Sequence, residues 1–139
     1  MSEGIDWLHF AREDLRVADW AFSAEIFNQA CFHSQQCVEK SLKAWLRHQS
    51  LIPPRSHQLS LLLSFFPDDA LAGLRARIIL LDRFYIPTRY PDAFPGGLPQ
   101  GLPDANDSAE ALDVARQVLA YVEQQLEVER HSDDTTEEE

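Results

Sequence analysis

Two arginines and two tyrosines fall within the eight residues Arg83 to Tyr90. They open the stretch RFYIPTRYPDAFPGGLPQGLP, which holds five of the eight prolines and three of the five glycines of the 139-residue chain. An arginine presents a planar fork of donors that matches two phosphate or carboxylate oxygens at once. Arg83 and Arg89 therefore admit two readings. Either they pair with Asp82, Asp92 or another acid and hold the loop down, or they form an anion site. A second group of polar and basic residues lies upstream. On a helical wheel His33, Gln36, Lys40, Lys43 and Arg47 fall within about 80° of one another. That face is either solvated, with Glu39 and Lys40 keeping the helix soluble, or a cation-lined groove for phosphate or a partner's acids. In the second case Lys40 and then Lys43 lead. Arg55 and His57 follow at the start of the next predicted helix.

The segment CFHSQQC places His33 between Cys31 and Cys37. On a shared helix the two cysteines are about 9 Å apart along the axis, beyond the reach of a disulfide. They also point about 120° apart, and His33 diverges from both. No metal and no cofactor is expected. The cysteines read as buried or half-buried thiols of a reducing compartment.

These residues need elements to hold them. Residues 5–24 carry apolar side chains at Leu8, Ala11, Leu15, Ala18 and Phe22, and residues 26–49 at Phe27, Cys31, Val38, Leu42 and Trp45, with Ser34 in register. Spacings of three and four predict two amphipathic helices, the second ending before Pro53 and Pro54. Ser56 is the expected N-cap of a short third helix with Leu59, Leu62, Leu63 and Phe66 inward. A fourth helix is expected from about Asp69 to Tyr85, through Leu71, Leu74, Ile78, Leu81 and Tyr85. Asp107 or Ser108 would cap the last helix, with Leu112, Ala115, Leu119, Val122 and Leu126 as its stripe. No stretch alternates long enough for a strand. The fold class is all-α: an up-and-down bundle of four long helices plus a short one, with a long Pro/Gly-rich loop before the last helix. That loop is expected to pack on the bundle through Phe94, Leu98 and Leu102.

The formal net charge is −11, and five acids lie in the last seven residues. Residues 1–132 hold 12 basic and 18 acidic residues, a balance of −6. Residues 1–130 thus read as one domain and residues 131–139 as an acidic, disordered tail. An acidic body disfavours sequence-independent nucleic-acid binding but leaves room for a local basic patch. No apolar run approaches the roughly 18 residues of a membrane span. The first ten residues lack a basic leader region, so the expected location is the cytoplasm.

Four segments in order resemble the HEPN domain family. DWLHFAREDLRVADWAF looks like its opening helix. ACFHSQQCVEKSLKAWL looks like its second helix, with Ser-Gln-Gln followed by Glu-Lys and Lys-Ala. SHQLSLLL is similar to its short His-acid-Leu segment, with Gln58 in the acid's place. YIPTRYPD resembles the tyrosine-to-Arg-Tyr-Pro segment of one branch. The resemblance spans about residues 5 to 127. It implies a helical bundle that commonly forms homodimers. Many members are ribonucleases, often toxins held by an antitoxin that is a minimal nucleotidyltransferase. Others are noncatalytic and serve RNA, nucleotide or protein binding.

The nuclease branch carries an arginine, four to six intervening residues, then a histidine. This chain departs from it: Arg83 is followed after five residues by Arg89, which stays protonated and cannot act as a base. The leading expectation is therefore a noncatalytic dimeric module with Lys40, Lys43, Arg83 and Arg89 as phosphate-binding residues. The alternative is a divergent ribonuclease using Arg83, Arg89 and His57, and the third reading is a ligand-free interaction bundle. Tyr90 is the candidate for modification by a nucleotidyltransferase partner. Tyr85 falls on a core stripe, and Trp7, Trp20 and Trp45 read as core or dimer contacts.

Overall fold

The computed structural model describes the backbone of residues 2–85 and 102–138, and the side chains of residues 4–85 and 102–127. Helix α1 spans Ser2–Ser23, α2 Phe27–His48, α3 Leu59–Leu63, α4 Arg75–Leu80 and α5 Ala105–Glu138, with a 3-10 turn at Leu81–Phe84 after α4. No strand occurs among the described residues, and no helix there is long and apolar enough to cross a membrane. The chain is an all-α bundle.

The first two helices end by the same device. Glu25 (φ 61°) and Ser50 (φ 63°) adopt the left-handed conformation. The amide of Ile26 then donates to Ala21 O at 2.8 Å, and that of Leu51 to Leu46 O at 3.0 Å. These are Schellman closures without glycine, and the second ends α2 ahead of Pro53. The tight reversal at Glu25 folds α2 antiparallel onto α1. Gly4 marks how closely they approach: a Cβ there would lie 3.2 Å from Ala44 O.

α2 occupies the centre. Six successive residues, Ser41 to Leu46, are buried. At 100° per residue such a run covers all but an arc of about 100°, in which His33, Gln36, Lys40 and Arg47 remain half-buried. The polar face of α2 is thus narrow and only partly solvated, and Glu39 is 3% and Lys43 6% exposed. The bundle closes because α1, α5 and the segment from α3 to the 3-10 turn enclose α2. Leu42, Leu59, Leu62, Ile78, Val114 and Val118 meet in one core, and each fully buried leucine contributes about 1.5–3 kcal/mol. Trp45 stacks on Phe66 with ring centroids 3.9 Å apart.

Three local expectations are corrected. The fourth long helix is a short α4 and a 3-10 turn, which leaves three long helices. Leu71 (φ 57°) and Gly73 (φ 85°) are left-handed, a conformation no α-helix can pass through. The apolar stripe survives, with Leu71, Ile78 and Leu81 buried. The start of α3 is not capped by Ser56, which binds the Gln58 amide at 3.1 Å. Instead Asp82 reaches back from the 3-10 turn and accepts from the Leu59 amide at 3.0 and 3.1 Å. The start of α5 is closed by Asp104 and Asp107 reciprocally. The Asp107 amide donates to Asp104 at 2.8 Å and the Asp104 amide to Asp107 at 3.1 Å, the arrangement of a capping box.

Leu102 is 69% exposed and stands outside the described core, whereas Phe94 and Leu98 lie outside the described residues. The backbone of α5 includes residues 131–138 of the expected acidic tail, whose side chains lie outside the described set.

Two outcomes follow from this architecture. Asp82→Ala removes the cap of α3 and should lower the unfolding free energy by about 1–2 kcal/mol in urea titrations. Cys31 and Cys37 are free and buried, and burial pushes both thiols up to about 12. At about pH 8 they should resist a thiol reagent in the native protein and react fully on unfolding.

Candidate functional site

Polar side chains on a helix that is mostly covered need partners inside the protein. On α2 they gather around two carboxylates. Asp14, from α1, accepts from Lys40 Nζ at 2.5 Å and lies 2.9 Å from His33 Nδ1. Glu39 accepts from Lys43 Nζ at 3.1 Å and lies 3.0 Å from His57 Nδ1. Gln36 also donates to Glu39, over a long 3.4 Å. The Lys43 ammonium sits 5.4 Å from the centre of the Trp7 ring, so its charge has a second stabilising contact. Ser34 Oγ is the one buried side-chain polar atom without a partner among the described residues.

The Ser-Gln-Gln segment gains a physical meaning here. Gln35, fully buried, donates to His57 O at 3.2 Å and accepts from Gln36 at 2.8 Å. It also hydrogen-bonds Asp82. Gln35 thus fastens the α2–α3 connection and the 3-10 turn to the central helix. Burial raises the Asp82 carboxyl, and the hydrogen bonds from the Leu59 and Ser60 amides and Gln35 oppose that rise.

His57 meets the first tyrosine of the arginine-tyrosine segment. Its ring stacks on Tyr85 with centroids 4.4 Å apart and planes 18° apart. Tyr85 also lies 6.1 Å from Phe32, which meets His33 edge-on at 5.1 Å. Four rings, His33, Phe32, Tyr85 and His57, therefore connect the two histidine–carboxylate pairs. Tyr85 is half-buried at this edge and is not a core residue. An ionised carboxylate only accepts, so Nδ1 of His57 carries the proton shared with Glu39. The remaining nitrogen, Nε2, belongs to a side chain that is 53% exposed. A buried acid behind an exposed imidazole is an arrangement that orients the ring for proton transfer or anion contact.

The predicted residues divide. Lys40 and Lys43 are 25% and 8% exposed and both are engaged by carboxylates. Arg83 is 43% exposed, its guanidinium 4.5 Å from the Phe84 ring and 3.7 Å from Asp107 at the start of α5. Asp82, considered as its partner, caps α3 instead. Arg89 and Tyr90 lie outside the described residues. Sequence reasoning missed Asp14, Glu39 and Gln35 as organising groups. Glu39 four residues before Lys43 was legible as an ion pair; its burial was not. Among the described residues no group of three or more His, Cys, Asp or Glu could hold a metal ion.

Glu39→Ala should be among the most damaging substitutions. It strands the Lys43 charge in the interior and should cost about 3–5 kcal/mol in urea unfolding, while Glu39→Leu with Lys43→Met should cost much less.

Comparison with known proteins agrees with the all-α bundle. Two solved structures are similar over most of their length. TT1696 from Thermus thermophilus is 35% identical, with 89% of this chain and 98% of that one covered at a TM-score of 0.77. ST0689, an archaeal HEPN homologue, is 36% identical, with 88% and 97% covered at a TM-score of 0.71. No curated protein matches. The HEPN domain matches residues 5–125, so the chain belongs to the HEPN domain family.

Proposed function

We propose that this chain is a noncatalytic HEPN-type module of the cytoplasm, working as a homodimer that binds RNA, a nucleotide or a minimal nucleotidyltransferase partner. The observation that carries this reading is the residue after the five-residue interval from Arg83. It is Arg89, a phosphate ligand without a removable proton, where the nuclease branch has a histidine. The phosphate-binding residues of this reading are Arg83, Arg89, Lys40 and Lys43. Arg83 has the most exposed cation of those described, and the burial of Lys43 makes it a support for Glu39 first. Tyr90 is the candidate acceptor of a nucleotide from a nucleotidyltransferase.

One observation favours the alternative of a divergent, metal-independent ribonuclease. His57 is held by Glu39 with Nε2 in an exposed side chain, and Tyr85, two residues from Arg83, stacks on it. A general base needs that kind of support. In this alternative His57 takes the role of the missing histidine, with Arg83 and Arg89 on the phosphate.

Incubation of the purified chain with RNA separates the readings. Binding without cleavage is expected, weakened about tenfold by Arg83→Ala or Arg89→Ala and by added salt. Cleavage lost in His57→Ala would establish the ribonuclease. Absence of RNA and nucleotide binding, and of any nucleotide mass on Tyr90 after copurification with a nucleotidyltransferase, would leave a purely structural bundle.

A further inference from the structure

The row of four rings ends in one that is open. The His57 side chain is 53% exposed, against 25% for His33 at the other end. The exposed ring is nonetheless held at two points. Its Nδ1 lies 3.0 Å from Glu39, and one face lies on Tyr85 with centroids 4.4 Å and planes 18° apart. A planar ring with one face covered keeps only its opposite face and its rim. An exposure above half therefore leaves that opposite face open to solvent. A ligand that must first fix a free side chain loses affinity in doing so. Glu39 and Tyr85 have already fixed this one.

We propose that the open face of His57 is a stacking site for a nucleobase, which becomes the next ring of the row. The proposal rests on the RNA-or-nucleotide reading above and names the part of the ligand and the ring that takes it. Every base has a π face, and stacking on an aromatic side chain needs no particular pattern of hydrogen bonds. The contact also suits an acidic chain. Residues 1–132 carry a balance of −6, which gives a phosphate little long-range attraction. Stacking acts at short range and does not depend on that balance.

Two arginines stand where the phosphate joined to such a base can be received. Arg55 lies two residues before His57, and Arg83 two residues before Tyr85. Two residues span at most about 7 Å of chain, so both side chains belong to the rim of the stack. Arg55 is exposed and has no ion pair among the described residues. The only ion-pair contact of Arg83 among them is the 3.7 Å approach to Asp107, and an exposed pair of this kind is readily exchanged. The base thus meets a fixed ring, and the phosphate meets cations with little to give up.

The test is calorimetric titration of the full chain with adenosine 5′-monophosphate, ribose 5-phosphate and a short oligoadenylate. The monophosphate should bind about tenfold more tightly than ribose 5-phosphate, which lacks the base. His57→Ala should remove that advantage and leave ribose 5-phosphate unaffected. His57→Phe keeps a stacking face but loses the Glu39 contact, and it should retain most of the affinity. Adenine H2 and H8 should shift upfield in proton spectra on binding to the wild type and to His57→Phe, and not to His57→Ala. Tighter binding of the oligoadenylate than of the monophosphate identifies unpaired RNA as the source of the base, and equal binding a free nucleotide; both support the site. Equal affinity for the monophosphate and ribose 5-phosphate overturns it, as does a loss in His57→Phe as large as in His57→Ala. In either case binding that still depends on Arg83 leaves the broader reading intact. Absence of binding by every nucleotide and RNA overturns both.

Discussion

Glu39 holds a negative charge on a residue of which 3% reaches solvent. It can do so because Lys43 neutralises it, while His57 and Gln36 occupy its remaining oxygen positions. The arrangement follows from the place of α2. A helix covered over most of its circumference can send few long polar side chains fully to water, so the buried ones need partners within reach. Asp14 does the same for Lys40 and His33 from the neighbouring helix. The two carboxylates thus turn a potentially unfavourable polar stripe into the contact by which α1, α2 and the α3 connection are held in register.

Asp82 extends that order to the arginine-tyrosine segment. Its carboxylate binds the first amide of α3 and its chain belongs to the 3-10 turn, so it joins the two directly. Gln35 ties the same pair to α2. A five-residue helix has little stability of its own, and these side chains replace what it lacks. The consequence for the site is positional. His57 precedes α3 and Tyr85 follows the 3-10 turn, so the stack between them depends on the joint that Asp82 makes.

The acidity of the chain is compatible with this division of surfaces. Most exposed cations described on α1, α4 and α5 already face carboxylates, as Arg12, Arg77 and Arg116 do. Such exposed pairs contribute little stability. Their effect is to remove competing positive charge, which leaves Arg83 among the more available cations near the family's Arg-Tyr-Pro segment. The bundle therefore gathers His33, Phe32, Tyr85, His57 and Arg83 at one polar edge.

The sequence by itself determined the helical class, the two long opening helices and their apolar stripes, because three-and-four spacing is a local property of each segment. It also determined the family, through short segments in a fixed order, and the absence of a histidine after Arg83. It misjudged the fourth helix, since a lone Gly73 inside an intact apolar stripe does not by itself announce a left-handed turn at Leu71, and it placed the cap of α3 by proximity in the chain. Only the tertiary structure decided that Glu39 is buried, that Asp82 caps a helix 23 residues away, and that His57 lies on Tyr85. Those depend on which side of α2 is covered. Periodicity marks α2 as having one apolar and one polar side, but enclosure by α1, α5 and the α3 segment is a long-range outcome that no single helix encodes.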